Sequence, residues 1–404
     1  MKTINCETIR NELTESSDEI RRLREDIHSH PELGNNEFRT ADLIESYLNS
    51  LDITTKRVLG TAVIGTLRGK TGGRTVALRA DMDALPLTEI TGADFASVYA
   101  GKMHACGHDV HTAALLGAAR ILSAHRDELE GNVVFLFEPD EEGRGGAARM
   151  IKEGCLEGAD AVFGAHVTPD LPSGKIGVMY GKFYAASDTF RIVVNGRASH
   201  GAVREKGIDA LAAAVEMVTA LLALPGQITD DKCVLTVGKM NSGTAENIMP
   251  GFAELEGIIR TLGSETRAAM EEAFHRTVRE IAEKTGTTVV IEYNHSHPGI
   301  VNNDEMTALA EKAAADLFGD EGVCRIDGPT MTTEDFGCFL NEAPGTFYHI
   351  GAGCEEPLHS STFLPDDDVA IKLGGMHAAV VLRYLNKIKP LIEEISGETA
   401  VIDL

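Results

Sequence analysis

Asn132-Val133-Val134-Phe135-Leu136-Phe137-Glu138-Pro139-Asp140-Glu141-Glu142-Gly143 is the stretch on which the fold turns. Its first six residues are an almost unbroken apolar run, which bounded by a turn predicts a buried-type strand. Pro139 stops the run, and Glu138, Asp140, Glu141 and Glu142 crowd its end. Carboxylates this close repel one another unless a cation neutralises them. Gly143-Arg144-Gly145-Gly146 then suggests backbone held close to a neighbouring group, followed by a helix to Glu153.

The same unit of strand, polar strand end and helix recurs on either side. Thr75 to Arg79 predicts a strand that runs into Arg79-Ala80-Asp81-Met82-Asp83-Ala84-Leu85-Pro86. Two carboxylates spaced i, i+2 there occupy the usual place for a site in an open α/β sheet. Met103-His104-Ala105-Cys106-Gly107-His108-Asp109-Val110-His111 precedes an Ala/Leu-rich helix to about Ala124, with Asp109 at the expected N-cap. Ala161 to Gly164 is a short strand with His166 at its end, and Thr346 to Ile350 is another. Pro357-Leu358-His359-Ser360 is a loop before a final helix from Asp366 to Ile388. Helices over Ile9–His30, Phe38–Leu51 and Asn302–Phe318, and a strand over Val58–Leu67, complete an α/β domain with a mixed, mostly parallel sheet.

Between residues 184 and 297 the pattern changes. Strands over Thr189–Val194, Val234–Gly238, Ala253–Arg260 and Thr288–Tyr293 are interleaved with helices over Asp209–Leu224 and Glu265–Thr285. That β-α-β-β-α-β order is the ferredoxin-like α+β signature. The expected division is therefore a catalytic domain over 1–183 and 298–404, with an inserted domain over 184–297.

Composition narrows the function classes. The 404 residues carry 37 Lys and Arg against 62 Asp and Glu, a net charge of −25. Such a balance disfavours nucleic acid or an anionic membrane surface as partner. No apolar run approaches the roughly 18 residues of a membrane span, and Met1 to Glu19 lacks the basic and apolar regions of a signal peptide. Seven scattered cysteines, an odd number, argue against a disulfide framework and for a reducing cytoplasm.

The strand ends collect Cys106, His108, Glu141 or Glu142, His166 and His359 as ligand candidates. Thiolate, imidazole and carboxylate suit a borderline-soft divalent metal. Ligands from separate segments allow two ions about 3.5–4 Å apart, sharing a thiolate or carboxylate. One member of the Glu141-Glu142 doublet can then bind metal while the other moves protons; the spacing does not choose between them.

Taken together, these motifs resemble the M20-type metallopeptidases, specifically the amidohydrolase subfamily of hippurate hydrolases, N-acyl-amino-acid deacetylases and plant auxin-conjugate hydrolases. The resemblance rests on the Arg79–Pro86 and Met103–Asp109 stretches, Glu141-Glu142-Gly143, Gly164-Ala165-His166-Val167, Asn247-Ile248-Met249-Pro250, Glu334-Asp335-Phe336 and Leu358-His359. It implies that Cys106, His108, Glu142, His166 and His359 are ligands of two divalent ions (Zn, Mn, Co or Ni) and that Glu141 is the acid/base. It implies that Asp83 and Asp109 orient ligands. His200 on the inserted lid would help hold the oxyanion, while Asn247 and Arg260 would grip the substrate carboxylate. The expected reaction is hydrolysis of an N-acyl amino acid or similar small conjugate, in a homodimer or homo-oligomer paired through the inserted domain. A dipeptidase or aminopeptidase of the same fold is the alternative. The chain departs from the family at Gly201-Ala202-Val203-Arg204-Glu205-Lys206-Gly207 and at Thr332-Thr333, which leaves the substrate's identity open.

Overall fold

The structure, a computed structural model, describes residues 4–70, 72–143, 145–228 and 231–385. The described residues of Met1–Gly181, Asn302–Asp327 and Cys338–Leu404 form one compact unit; those of Lys182–Val301 and Gly328–Gly337 form a second.

The first unit is built on an eight-stranded sheet. In spatial order its strands are Thr54–Val58, Ala62–Arg68, Gly131–Glu138, Arg74–Asp81, Ala161–Thr168, Gly345–Gly351, Ile176–Val178 and Val323–Arg325. The strands from Gly131–Glu138 through Gly345–Gly351 run parallel, and antiparallel pairs sit towards the edges. Mixed and mostly parallel is therefore correct. Parallel strands need crossovers, and helices laid over the sheet explain why its central strands carry apolar residues on both faces. Phe135, Phe137, Val76, Leu78, Phe163 and Phe347 are all buried. Truncating Phe135 to alanine would cost about 3–5 kcal/mol.

Helix His108–Ala124 packs against Cys6–Ser29 and Val369–Leu385. Small residues permit that approach. A Cβ at Gly117 would lie 2.8 Å from Ile20 Cδ1, and one at Gly375 would lie 2.4 Å from Leu13 Cδ1. Two apolar helices thus bury nearly every position without the alternation that an exposed face would demand.

Three expectations change. The single strand over Val58–Leu67 is a hairpin, reversed at Leu59 (φ 54°) and Gly60 (φ 88°). Val58 and Leu59 join the apolar residues that follow the turn, so the run conceals it, while the rest of the first arm, Thr54–Arg57, is polar. Asp109 is not an N-cap: the helix starts at His108, preceded by Gly107 at φ 81°, and Asp109 is a buried first-turn residue. Glycine is required at 107 because of that φ and because a Cβ would sit 2.4 Å from Val167 Cγ2. The glycines after Glu142 approach the chain itself, since a Cβ on Gly146 would lie 2.0 Å from the Pro139 carbonyl oxygen. Arg144 lies outside the described residues, as does the stretch beyond Leu385 where the last helix was expected to continue to Ile388; that helix is described as Val369–Leu385.

In the second unit the strand order is Cys233–Ser242, Phe252–Thr261, Ala186–Asn195 and Thr288–His297, all antiparallel. Helices Ala210–Ala223 and Ser264–Thr285 complete the ferredoxin-like connectivity. Phe190, Ile192, Val194, Leu255 and Phe274 give the unit a core of its own. Asp209 caps its first helix by accepting the Ala212 N–H at 3.0 Å. No described helix is long and apolar enough to cross a membrane.

Candidate metal centre and active site

Parallel strands finish on one edge of their sheet, and the candidate site is assembled there from successive strand ends. Asp81 and Asp83 leave Arg74–Asp81, Glu141 and Glu142 follow Gly131–Glu138, and His166 lies on Ala161–Thr168. Cys106 and His108 open helix His108–Ala124, and His359 comes from the loop after Gly345–Gly351. The His359 backbone is left-handed (φ 63°) and is held by its N–H bond to the Ala105 carbonyl at 2.8 Å. A non-glycine residue pays strain for that conformation, and such strain clusters at functional sites.

Among the acids between 138 and 142, Glu138 and Asp140 face arginines. Glu138 accepts from Arg79 Nε at 2.6 Å, and Asp140 accepts from Arg149 Nη1 at 3.0 Å. The expected repulsion is relieved internally for those two. Glu141 and Glu142 remain beside His108.

Cys106 Sγ lies 3.3 Å from both His166 Nε2 and His359 Nε2, and His359 Nε2 lies 2.9 Å from Glu142 Oε1. In each of the trios Cys106–His108–His166, Cys106–Glu142–His359 and His108–Glu141–Glu142 the ligand atoms fall within 4.8 Å of one another. Because Cys106 belongs to two of them, one sulfur could serve two ions. The donor set fits such ions: His108 Nε2 is buried without a hydrogen-bond partner, while its Nδ1 is fixed by Asp83 Oδ1 at 3.1 Å. Asp83 Oδ2 takes the Glu142 N–H at 3.1 Å, so one carboxylate orients two ligand candidates. His166 Nδ1 donates to the Val167 carbonyl at 2.6 Å, which turns the Nε2 lone pair towards Cys106.

The electrostatics agree with a site arranged for added positive charge. Burial, then Glu142 and Glu141, push the Cys106 thiol well above its usual range. Burial opposes charge on His108, but Asp81 and Asp83 outweigh it and raise its pKa to about 10. His359 is raised by its bond to Glu142. Protons stand where cations would act.

Asp109 lies behind the ligands. It accepts from Arg24 Nε at 3.2 Å and pairs with His28 Nδ1 at 2.9 Å, while Arg24 also donates to the Pro365 carbonyl at 2.7 Å. Burial opposes charge on His28, yet Asp109 and Glu89 raise its pKa to about 9. Sequence reasoning missed Arg24, since one arginine on an amphipathic helix reads as solvated.

His200, Asn247 and Arg260 belong to the second unit. His200 is exposed on a two-residue strand paired with Ile248 and Met249, and the Gly201 N–H bonds the Asn247 carbonyl at 2.8 Å. The Ala202 N–H donates to His200 Nδ1 at 3.1 Å, so the neutral ring carries its proton outward on Nε2. Half-buried Arg260 has a buried Nη1 without a partner. Its nearby carboxylate, Asp188, is occupied by Arg267 and by the Tyr293 hydroxyl at 2.9 Å.

Comparison with known proteins places this geometry in a class of metal-dependent hydrolases. Residues 77–381 match the model of peptidase family M20/M25/M40, and the chain belongs to that family. It is 36% identical over 394 residues to thermostable carboxypeptidase 1 of Saccharolobus solfataricus, covering 94% of this chain and 99% of that one. N-acetyl-L-cysteine deacetylase of Bacillus subtilis is 35% identical over 355 residues, covering 87% and 84%. A solved dinuclear metal-binding M20 peptidase from Bacillus subtilis superposes with a TM-score of 0.84 at 33% identity, covering 93% of this chain and all of that one.

Proposed function

We propose that this protein is a metal-dependent amidohydrolase that cleaves N-acyl amino acids, or similar small conjugates, to a carboxylic acid and a free amino acid. The observation that carries the reading is the convergence of Cys106, His108, Glu142, His166 and His359 around one sulfur, with Glu141 beside them. These five would hold two divalent ions, with Zn, Mn, Co and Ni all compatible with the mixed donor set. Bound ions supply Lewis acidity for the amide carbonyl and lower the pKa of a water. Glu141 would take the proton from the attacking water as the C–O bond forms, and would deliver it to the leaving nitrogen as the tetrahedral species collapses and the C–N bond breaks. The outward Nε2–H of His200 donates to the developing oxyanion. Arg260, with Asn247, pairs with the carboxylate of the amino acid, for which its unpartnered fork is suited.

The inserted unit serves as lid and as the pairing surface of a homodimer. Support comes from its edge strand Cys233–Ser242 with exposed Val234 and Met240, beside a helix exposing Leu211, Val215 and Leu222. Unpaired edge backbone and contiguous apolar side chains favour a second copy. Seven free cysteines suit a reducing cytoplasm.

A carboxypeptidase reading is favoured by the 36% identical relative of that name. Both activities attack an amide whose nitrogen belongs to a residue with a free carboxylate. The test is hydrolysis of N-acetyl and N-benzoyl amino acids beside free-amine dipeptides, using chelator-stripped protein with each metal restored in turn. Metal-restored release of acetate or benzoate is expected. Turnover confined to dipeptides would replace the proposed activity with the peptidase one.

A further inference from the structure

Behind the ligands lie two buried groups, Asp81 and His111, that the chemistry above does not use. Asp81, His108 and His111 are close enough to one another to suggest a cation site. Their hydrogen bonds argue otherwise. His111 Nδ1 lies 2.6 Å from Asp81 Oδ1, and His111 Nε2 receives the Val167 N–H at 2.9 Å. Asp81 Oδ2 is taken by Arg79 Nη1 at 2.7 Å. A ring nitrogen that accepts an N–H carries no proton, so the proton of His111 sits on Nδ1, towards Asp81. Both nitrogens are engaged, and no lone pair is left for an ion.

What His111 holds is the Val167 peptide. That amide directly follows His166, and the Val167 carbonyl accepts from His166 Nδ1. The sheet explains the need. Strands Arg74–Asp81 and Ala161–Thr168 stay in register only from Val76↔Ala161 to Arg79↔Gly164. Beyond that point His166 and Val167 have lost their neighbour on this side, while the pairing to His349 and Ile350 continues on the other. A buried backbone N–H without a partner is costly. The imidazole of His111 supplies the missing acceptor. Its ring also meets the His166 ring edge-on, with centroids 4.7 Å apart.

We propose that His111 is a positioning residue. By completing the lost sheet bond at Val167 it fixes the direction in which His166 presents Nε2 beside Cys106, and Asp81 with Arg79 holds His111 in the required tautomer. The proposal rests on the reading of Cys106 and His166 as metal ligands.

The test is Co²⁺ titration of the chelator-stripped full chain, read by cobalt–thiolate absorption and chelator competition, for wild type, His111→Asn and His111→Gln. The asparagine amide can stand in for Nδ1 only, whereas the glutamine oxygen reaches towards the Nε2 position. We expect His111→Asn to weaken one of two Co²⁺ sites by about 10–100-fold, the scale of losing a group that orients a ligand. His111→Gln should recover most of that affinity and melt near wild type without metal, whereas metal-free His111→Asn should melt lower because the Val167 N–H loses its acceptor. Wild-type affinity in His111→Asn, or no recovery in His111→Gln, overturns the proposal while leaving the metal reading standing. A wild type that binds no Co²⁺ overturns both. If His111→Asn does not fold, ¹⁵N imidazole spectra of the metal-free wild type decide: a proton on Nδ1 supports the proposal, and a proton on Nε2 refutes it.

Discussion

The candidate residues of the two units are held in opposite ways. In the first unit Cys106, His108, His166, Asp83 and Asp109 are buried, and even half-buried Glu142 and exposed His359 are tied to another element: His108 to Asp83, Glu142 through its backbone to Asp83, and His359 through its backbone to Ala105. In the second unit His200 and Asn247 are exposed at the short ladder that pairs Ser199-His200 with Ile248-Met249, and Arg260 ends in a nitrogen without a partner. A group that must meet a metal at a fixed distance needs such support, because a misplacement of about 1 Å costs orders of magnitude in rate. Groups that meet a substrate need only a free donor and a surface. On the proposed reading, bond breaking falls to braced residues and recognition to exposed chain.

The contrast predicts a sharp division of phenotypes. Glu141→Gln should retain bound metal and lose about 10²–10⁴-fold in kcat, the scale of a positioned general base. Metal analysis beside steady-state kinetics checks it, and a variant with near wild-type kcat would remove Glu141 from its role. Arg260→Ala should keep metal and stability while kcat/KM falls about 10–100-fold, from losing about 1.5–3 kcal/mol of charged hydrogen bonding to the substrate carboxylate. If Arg260 grips a carboxylate, substrates amidated at that group should show no further loss in the variant. Equal losses on both substrates would assign Arg260 to the fold of its unit instead.

What was legible in the sequence follows the same division. Cys106, His108, Glu141 or Glu142, His166 and His359 could be picked out as candidates because they stand at strand ends, a helix start and a loop in an order no hydrophobic pattern requires. The parallel sheet could be read because Val133–Phe137 is apolar throughout. The reversal at Leu59-Gly60 was hidden because Val58 and Leu59 before the turn and Ala62-Val63-Ile64 after it read as one apolar run, while the rest of the first arm, Thr54–Arg57, is polar and carries no strand signal. Arg149 and Arg79 neutralise Asp140 and Glu138 from elsewhere in the fold, and charge counting along one segment cannot see them. The support of Asp109 is also tertiary: its partners Arg24 and His28 lie about eighty residues upstream, on a helix whose own pattern accounts for them as ordinary polar positions. Substrate identity stayed out of reach because it depends on exposed side chains, which obey no packing rule.

The smallest effect on turnover is expected from that buried support, and it tests whether the first unit's rigidity is electrostatic. His28 has its folded pKa raised from 6.5 to about 9, chiefly by Asp109 working against burial. A group raised in the folded state contributes stability that is fully present below its unfolded pKa. Its contribution therefore declines as pH rises from 6.5 and is gone above about 9. Urea unfolding of the chelator-treated protein should show stability falling across that window. His28→Gln should flatten the fall, because its side chain does not titrate, while kcat near pH 7 in the metal-loaded protein changes little. Asp109→Asn should flatten it too, since without the carboxylate nothing holds the proton on His28 against burial. An undiminished slope in both variants would place the titrating group elsewhere. The bond between Asp109 and His28 would then be a matter of packing, and the difference between the two units one of burial alone.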